Sequence, residues 1–170
     1  MYQLFALLMS VTFIASPIWP IGENPVIGDP YIIVNKKTNE LAFINESEIQ
    51  KTYQVATGKT TELTPEGEFT IVVKAIDPYY RKRDIEGGSP ENPLGTRWIG
   101  FDALETDGRI YGIHGTNNPP SIGSYVTAGC IRMFNQQVEE LFERVPQGTK
   151  ILVISSEKTF EQIAKEYGAI

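Results

Sequence analysis

Seven short segments dominate the chain from residue 31 onward: YIIVN (31–35), LAFI (41–44), KTYQVATG (51–58), EFTIVVKA (68–75), RWIGF (97–101), RIYGIHG (109–115) and KILVI (150–154). β-Branched and aromatic residues concentrate in them, and turn-forming residues separate them, so they predict strands. Only two stretches carry a helical period. Asn135 is placed to cap a helix whose Val138, Leu141, Phe142 and Val145 line one face, and Ser156 or Thr159 opens a second with Phe160, Ile163, Ala164 and Tyr167 before Gly168. The expectation is a mainly β domain with one or two helices. With 170 residues and 41% hydrophobic content, the chain suits one domain with a sizeable core. It contains no internal repeat and no linker that would divide it.

The formal net charge of -6 gives a long-range field that repels nucleic acid and anionic lipid, so no nucleic-acid partner is expected. One basic run, Arg81-Lys82-Arg83, is bracketed by Asp77, Asp84 and Glu86 and reads as a solvated loop face. At the N-terminus, MYQLFALLMSVTFIASPIWP has no charged side chain, and its apolar run from Leu4 to Ala15 is too short to span a bilayer. That run has the length of a signal-peptide core, with Ala15 and Ser16 as small residues near a cleavage point. Residues 1–20 are therefore expected to be a signal peptide or N-terminal anchor, and the protein extracytoplasmic. The competing reading is a buried N-terminal segment.

The only histidine, His114, and the only cysteine, Cys130, lie 16 positions apart, across a stretch rich in Gly, Pro, Asn and Ser. Each has a structural explanation: a lone Cys is often an inert buried hydrophobe, and a lone His a hydrogen-bonded structural residue. A zinc site needs three or four ligands, usually His and Cys, and this chain has one of each. Nucleophilic catalysis needs only a thiol and a base, because an imidazole in contact raises the thiolate fraction. His114 ends an apolar strand and Cys130 follows a Gly-containing turn, so neighbouring strand ends can bring them together.

Around the thiol, Ala128-Gly129 leaves room for a substrate carbonyl, and the N–H groups of Gly129 and Cys130 are candidate oxyanion donors. If residues 130–133 are extended, Arg132 lies on the face of the thiol. There it favours the thiolate, binds a substrate carboxylate, or forms a structural ion pair. The irregular stretch DPYYRKRDIEGGSPENPLG (77–95) is longer than an ordinary connection. It is either a lid or substrate wall, or a floppy exposed loop. TGKTT (57–61) mimics the end of a phosphate-binding loop, but Tyr53 stands where the pattern requires a further glycine.

The elements H-G-T (114–116), Gly123 and T-A-G-C-I-R-M (127–133) together resemble the signature of the L,D-transpeptidase catalytic domain, the YkuD-like family. T-P-E-G-E-F (64–69) is similar to that family's T-P-x-G-x-F turn, preceded by a strand ending at Gly58, and Thr127 stands where the family usually has Ser. The resemblance covers residues 31–154, with 155–170 left as a C-terminal helix. It implies a β-sandwich with one or two helices and peptidoglycan stem peptides as substrate. It further implies Cys130 as nucleophile, His114 as acid/base, the Gly115 carbonyl as the group orienting the imidazole, carbapenem-type inhibitors, and no cofactor. Two other functions stay open: a thiol L,D-carboxypeptidase, in which water resolves the thioester, and a non-catalytic wall-binding module. TFEQIAKEYG (159–168) resembles the first helix of a LysM module, but the chain ends too soon for a whole one, and it reads as a packing helix.

Overall fold

The structure, a computed structural model, describes residues 28–170, so the expected signal or anchor at residues 1–20 lies outside the described residues. Its framework is one eight-stranded sheet. In chain order the strands are β1 Tyr31–Asn35, β2 Glu40–Asn45, β3 Glu48–Gln54, β4 Thr57–Gly58, β5 Gly67–Ile76, β6 Arg97–Phe101, β7 Tyr111–His114, β8 Tyr125–Thr127, β9 Ile131–Arg132 and β10 Lys150–Ile154. The large sheet runs β3-β2-β1-β10-β5-β6-β7-β9, and β4 pairs with β8 in a two-stranded sheet beside it. The helices are α1, Asn135–Arg144, and α2, Phe160–Glu166. The mainly β expectation with two helices holds.

β1 is an unbroken apolar run because both of its faces are covered. Ile32 and Val34 enter the main core with Leu41, Phe43, Ile151 and Val153. Tyr31 and Ile33 face the opposite way, toward Ile44, Leu152, Ile163 and Ala164. α2 therefore seals the second face, and full burial of Ile163 contributes roughly 1.5–3 kcal/mol. Thr159, rather than Ser156, starts that helix: its hydroxyl accepts from the Gln162 N–H while the Gln162 side chain accepts from the Thr159 N–H.

Three local expectations are corrected. Asn135 is the first residue of α1 and not its cap; Phe134 occupies the cap position, and the Asn135 side chain instead accepts from the Thr116 N–H, just past the strand that ends at His114. The 51–58 segment is two strands, because Val55 donates to the Asn39 carbonyl and Ala56 bridges Arg132, turning the chain off the sheet edge. Strand 109–115 begins only at Tyr111, since Arg109 belongs to a turn closed on the Asp107 side chain. β8 and β9 have three and two residues, too few for any periodicity to mark them.

The 77–95 stretch is folded, not floppy. Tyr80 and Ile85 exchange backbone hydrogen bonds of 2.9 and 3.2 Å around the basic run. Asn92, almost fully buried, donates to the carbonyls of Pro78 (2.7 Å) and Glu86 (3.2 Å) and accepts from the Leu94 N–H (2.9 Å). At Gly87 any Cβ would overlap the Asp77 carbonyl, so the loop's two sides touch backbone to backbone.

Candidate active site

Strand register brings the unique histidine and cysteine to one face. β7 and β9 pair in parallel, Ile113 opposite Ile131 and His114 opposite Arg132, and the Met133 N–H donates to the His114 carbonyl (2.9 Å). Side chains alternate along a strand. Ile113 and Ile131 therefore point into the core, and His114, Arg132 and the entering Cys130 share the other face.

The turn that delivers the thiol is held by Thr127. Its hydroxyl donates to the Cys130 carbonyl (2.6 Å) and accepts from the Gly129 N–H (3.1 Å). Gly129 has φ 130°, and a Cβ there would overlap the Leu63 carbonyl oxygen, so the position requires glycine on both counts. The Gly129 N–H, expected as an oxyanion donor, is engaged by Thr127 in this state, which leaves the Cys130 N–H as the donor from this turn. Behind the turn, the T-P-E-G-E-F segment is anchored by Lys36. Its buried ammonium donates to the carbonyls of Thr61 (2.6 Å) and Thr64 (2.8 Å) and pairs with Glu66 at 3.0 Å. Sequence reasoning missed Lys36, because a lysine in a turn after an apolar strand looks solvated.

His114 is buried, stacked on Trp98 with ring centroids 5.7 Å apart, and its Nδ1 lies 2.6 Å from the Gly115 carbonyl. A carbonyl oxygen only accepts, so Nδ1 carries the proton and Nε2 is the basic nitrogen. Burial pushes the imidazole pKa down to about 4; the carbonyls of Gly115 and Leu94 work against that shift and the Arg132 charge adds to it. Cys130 is partly exposed, and its thiol donates to the Ile110 carbonyl (3.4 Å). Burial pushes the thiol pKa up, while the Gly112 N–H and the charges of Lys82 and Arg132 pull it down. The two groups therefore rest neutral on one face, the thiol bonded to Ile110 and the imidazole to Gly115.

Arg132 forms no ion pair with an acid among the described residues: its Nη1 donates to Ser121 Oγ (2.9 Å), and its Nε is buried without a partner. A half-buried guanidinium left without a counter-ion is a ready site for an anionic group. Lys82, read from sequence as part of a solvated face, is exposed, yet its charge acts on Cys130. The Leu94 carbonyl acts on His114. Two residues of the 77–95 loop thus bear on the two reactive groups.

With this geometry in hand, likeness to known proteins is informative. Residues 29–153 match the YkuD L,D-transpeptidase catalytic domain. The chain is 60% identical to the Bacillus subtilis (strain 168) protein named "Putative L,D-transpeptidase YqjB", over 96% of this chain and 93% of that one. It is 39% identical to YkuD of the same organism, over 76% of this chain and 71% of the other. Its fold is similar to the Ldtfm-avibactam carbamoyl enzyme, with a TM-score of 0.61 and 26% identity over 78% of this chain, which spans about half (51%) of that longer chain. A solution structure of the Enterococcus faecium L,D-transpeptidase catalytic domain matches over 99% of its length, with a TM-score of 0.56 at 24% identity. The extent of these matches establishes that this chain belongs to the YkuD family of L,D-transpeptidase catalytic domains.

Proposed function

We propose that the protein is a cysteine-dependent acyltransferase that acts on peptidoglycan stem peptides, forming cross-links or anchoring an acceptor to the wall. The observation that carries the reading is the shared face of Cys130, His114 and an Arg132 that has no acidic partner among the described residues. In the first half-reaction the thiol leaves the Ile110 carbonyl and gives its proton to His114 Nε2. Sulfur then attacks the carbonyl of the third stem residue. The carbonyl oxygen takes up negative charge against the Cys130 N–H. As the C–N bond to the terminal D-alanine breaks, the imidazolium returns the proton to the departing amine, leaving a thioester on Cys130. In the second half-reaction an acceptor amine attacks the thioester and loses its proton to His114, and the thiol re-forms.

Arg132 and Lys82 suit a substrate that carries carboxylates, and the raised thiol and lowered imidazole explain why the resting pair is neutral and proton transfer accompanies attack. The protein then works outside the membrane, with residues 1–20 as the export signal. A new N-terminus near residue 20 in the extracellular fraction supports that placement, and an intact Met1 in the cytosol defeats it.

Incubation with purified disaccharide tetrapeptide, followed by mass analysis, tests the reaction. Cross-linked dimer or D-amino-acid exchange is expected, and tripeptide alone identifies the hydrolytic alternative. A carbapenem should leave one acyl adduct, mapped to the peptide containing Cys130, and Cys130→Ala should lose both turnover and adduct. Wild-type activity in Cys130→Ala would overturn the assignment of the nucleophile.

A further inference from the structure

We propose that Asn135 is a positioning residue for His114, acting through the single peptide group that joins Gly115 to Thr116. This rests on the reading of His114 as the base. The carbonyl of that peptide accepts from His114 Nδ1 (2.6 Å), and its N–H, on Thr116, donates to Asn135 Oδ1 (2.9 Å). One amide is therefore bonded at both ends, in the order imidazole, peptide, carboxamide. Hydrogen bonds linked through an amide polarise one another, strengthening each by roughly 10–30%. Donation of the Thr116 N–H to the carboxamide oxygen pushes electron density through the amide, so the Gly115 oxygen becomes a better acceptor. It then holds the proton on Nδ1 and leaves Nε2 free for the thiol.

The surroundings are shaped for this contact. A Cβ at Gly115 or at Gly95 would overlap Asn135 Oδ1. Gly115 has no positive φ, so its lack of a side chain serves the approach of the carboxamide and not a turn. Asn135 also gives up the local role its residue type favours. The start of α1 has no side-chain cap, although Asn is among the residues that cap helices best. α1 is fixed in the core by Val138 and Leu141, so the carboxamide sits on a rigid support that fixes the peptide plane. The order of events is thus helix packing, carboxamide placement, peptide orientation, imidazole tautomer.

The chain has one histidine, so the ring nitrogens can be read without assignment ambiguity by nitrogen-15 NMR on the intact protein. The wild type should show a single tautomer with hydrogen on Nδ1. Asn135→Ala should give a mixture of tautomers and slow carbapenem acylation of Cys130 about 10–100-fold, the size usual for losing an outer-shell partner. Asn135→Asp keeps an acceptor oxygen and adds negative charge. It should restore the Nδ1–H tautomer and move the acid limb of the acylation pH profile upward. An unchanged tautomer in Asn135→Ala overturns the proposal, whether its acylation is wild-type or slowed, since a slowed rate alone would report packing. His114→Gln separates the two readings. If it acylates as fast as wild type while Asn135→Ala still mixes the tautomers, the positioning role stands and the base assignment fails.

Discussion

Acid should destabilise this protein through one ring. In the unfolded chain His114 titrates near its ordinary value of about 6.5, while in the fold burial holds it down to about 4. The folded state therefore prefers the neutral ring. That contribution to stability is complete above about pH 6.5 and is lost progressively as the pH falls toward 4, because the unfolded chain takes the proton first. A separation of about 2.5 units, at about 1.36 kcal/mol per unit, corresponds to roughly 3 kcal/mol by pH 4. Against a typical domain stability of about 5–15 kcal/mol this is a large fraction. The perturbation is His114→Gln, which keeps a planar polar side chain that does not titrate. Urea unfolding of both proteins, from about pH 7.5 down to about pH 4, cancels the carboxylates common to them. The stability difference between wild type and variant should move by about 3 kcal/mol in favour of the variant on acidification. Parallel stability curves across that range would refute a buried neutral imidazole.

Three further outcomes follow from the geometry around the thiol. Gly129→Ala places a side chain at φ 130° against the Leu63 carbonyl, and should cost about 1–3 kcal/mol in thermal melts and displace the thiol, with carbapenem acylation sharply reduced. Unchanged melting would show that the turn relaxes freely. Lys82→Glu replaces a charge that lowers the thiol pKa with one that raises it; alkylation of the lone cysteine by iodoacetamide should need a higher pH, and the effect should shrink in high salt. Thr127→Val removes the hydroxyl that spans the turn and should destabilise by about 1–3 kcal/mol with a matching loss of acylation, while Thr127→Ser keeps both.

Long apolar strands were legible in the sequence. β1, β6 and β10 were located because burial of the sheet centre demands uninterrupted apolar residues, and that demand is visible locally. β8 was invisible and β9 entered only as a condition on residues 130–133, since two or three residues carry no period, yet they place the thiol. Asn135 shows the same limit. Its position before an apolar face fits a helix cap, and only the approach of the Gly115–Thr116 peptide gives its side chain a better partner. Lys82 read as part of a solvated face and Lys36 drew no reading, but Lys36 is buried against the Thr61 and Thr64 carbonyls and Lys82 bears on the thiol from an exposed loop.

By itself the sequence determined the fold class and the two reactive side chains, because binary patterning and residue chemistry are local properties. The 114–133 motif added the family. Tertiary structure alone decided how the parts are oriented: the β7–β9 register that sets His114, Arg132 and Cys130 on one face, the engagement of the Gly129 N–H by Thr127, and the folding of the 77–95 loop toward the site. The physical reason is that a hydrogen-bond partner or a neighbouring charge comes from residues distant in the chain. Its effect on a pKa or a tautomer exists only once packing has removed the water between them.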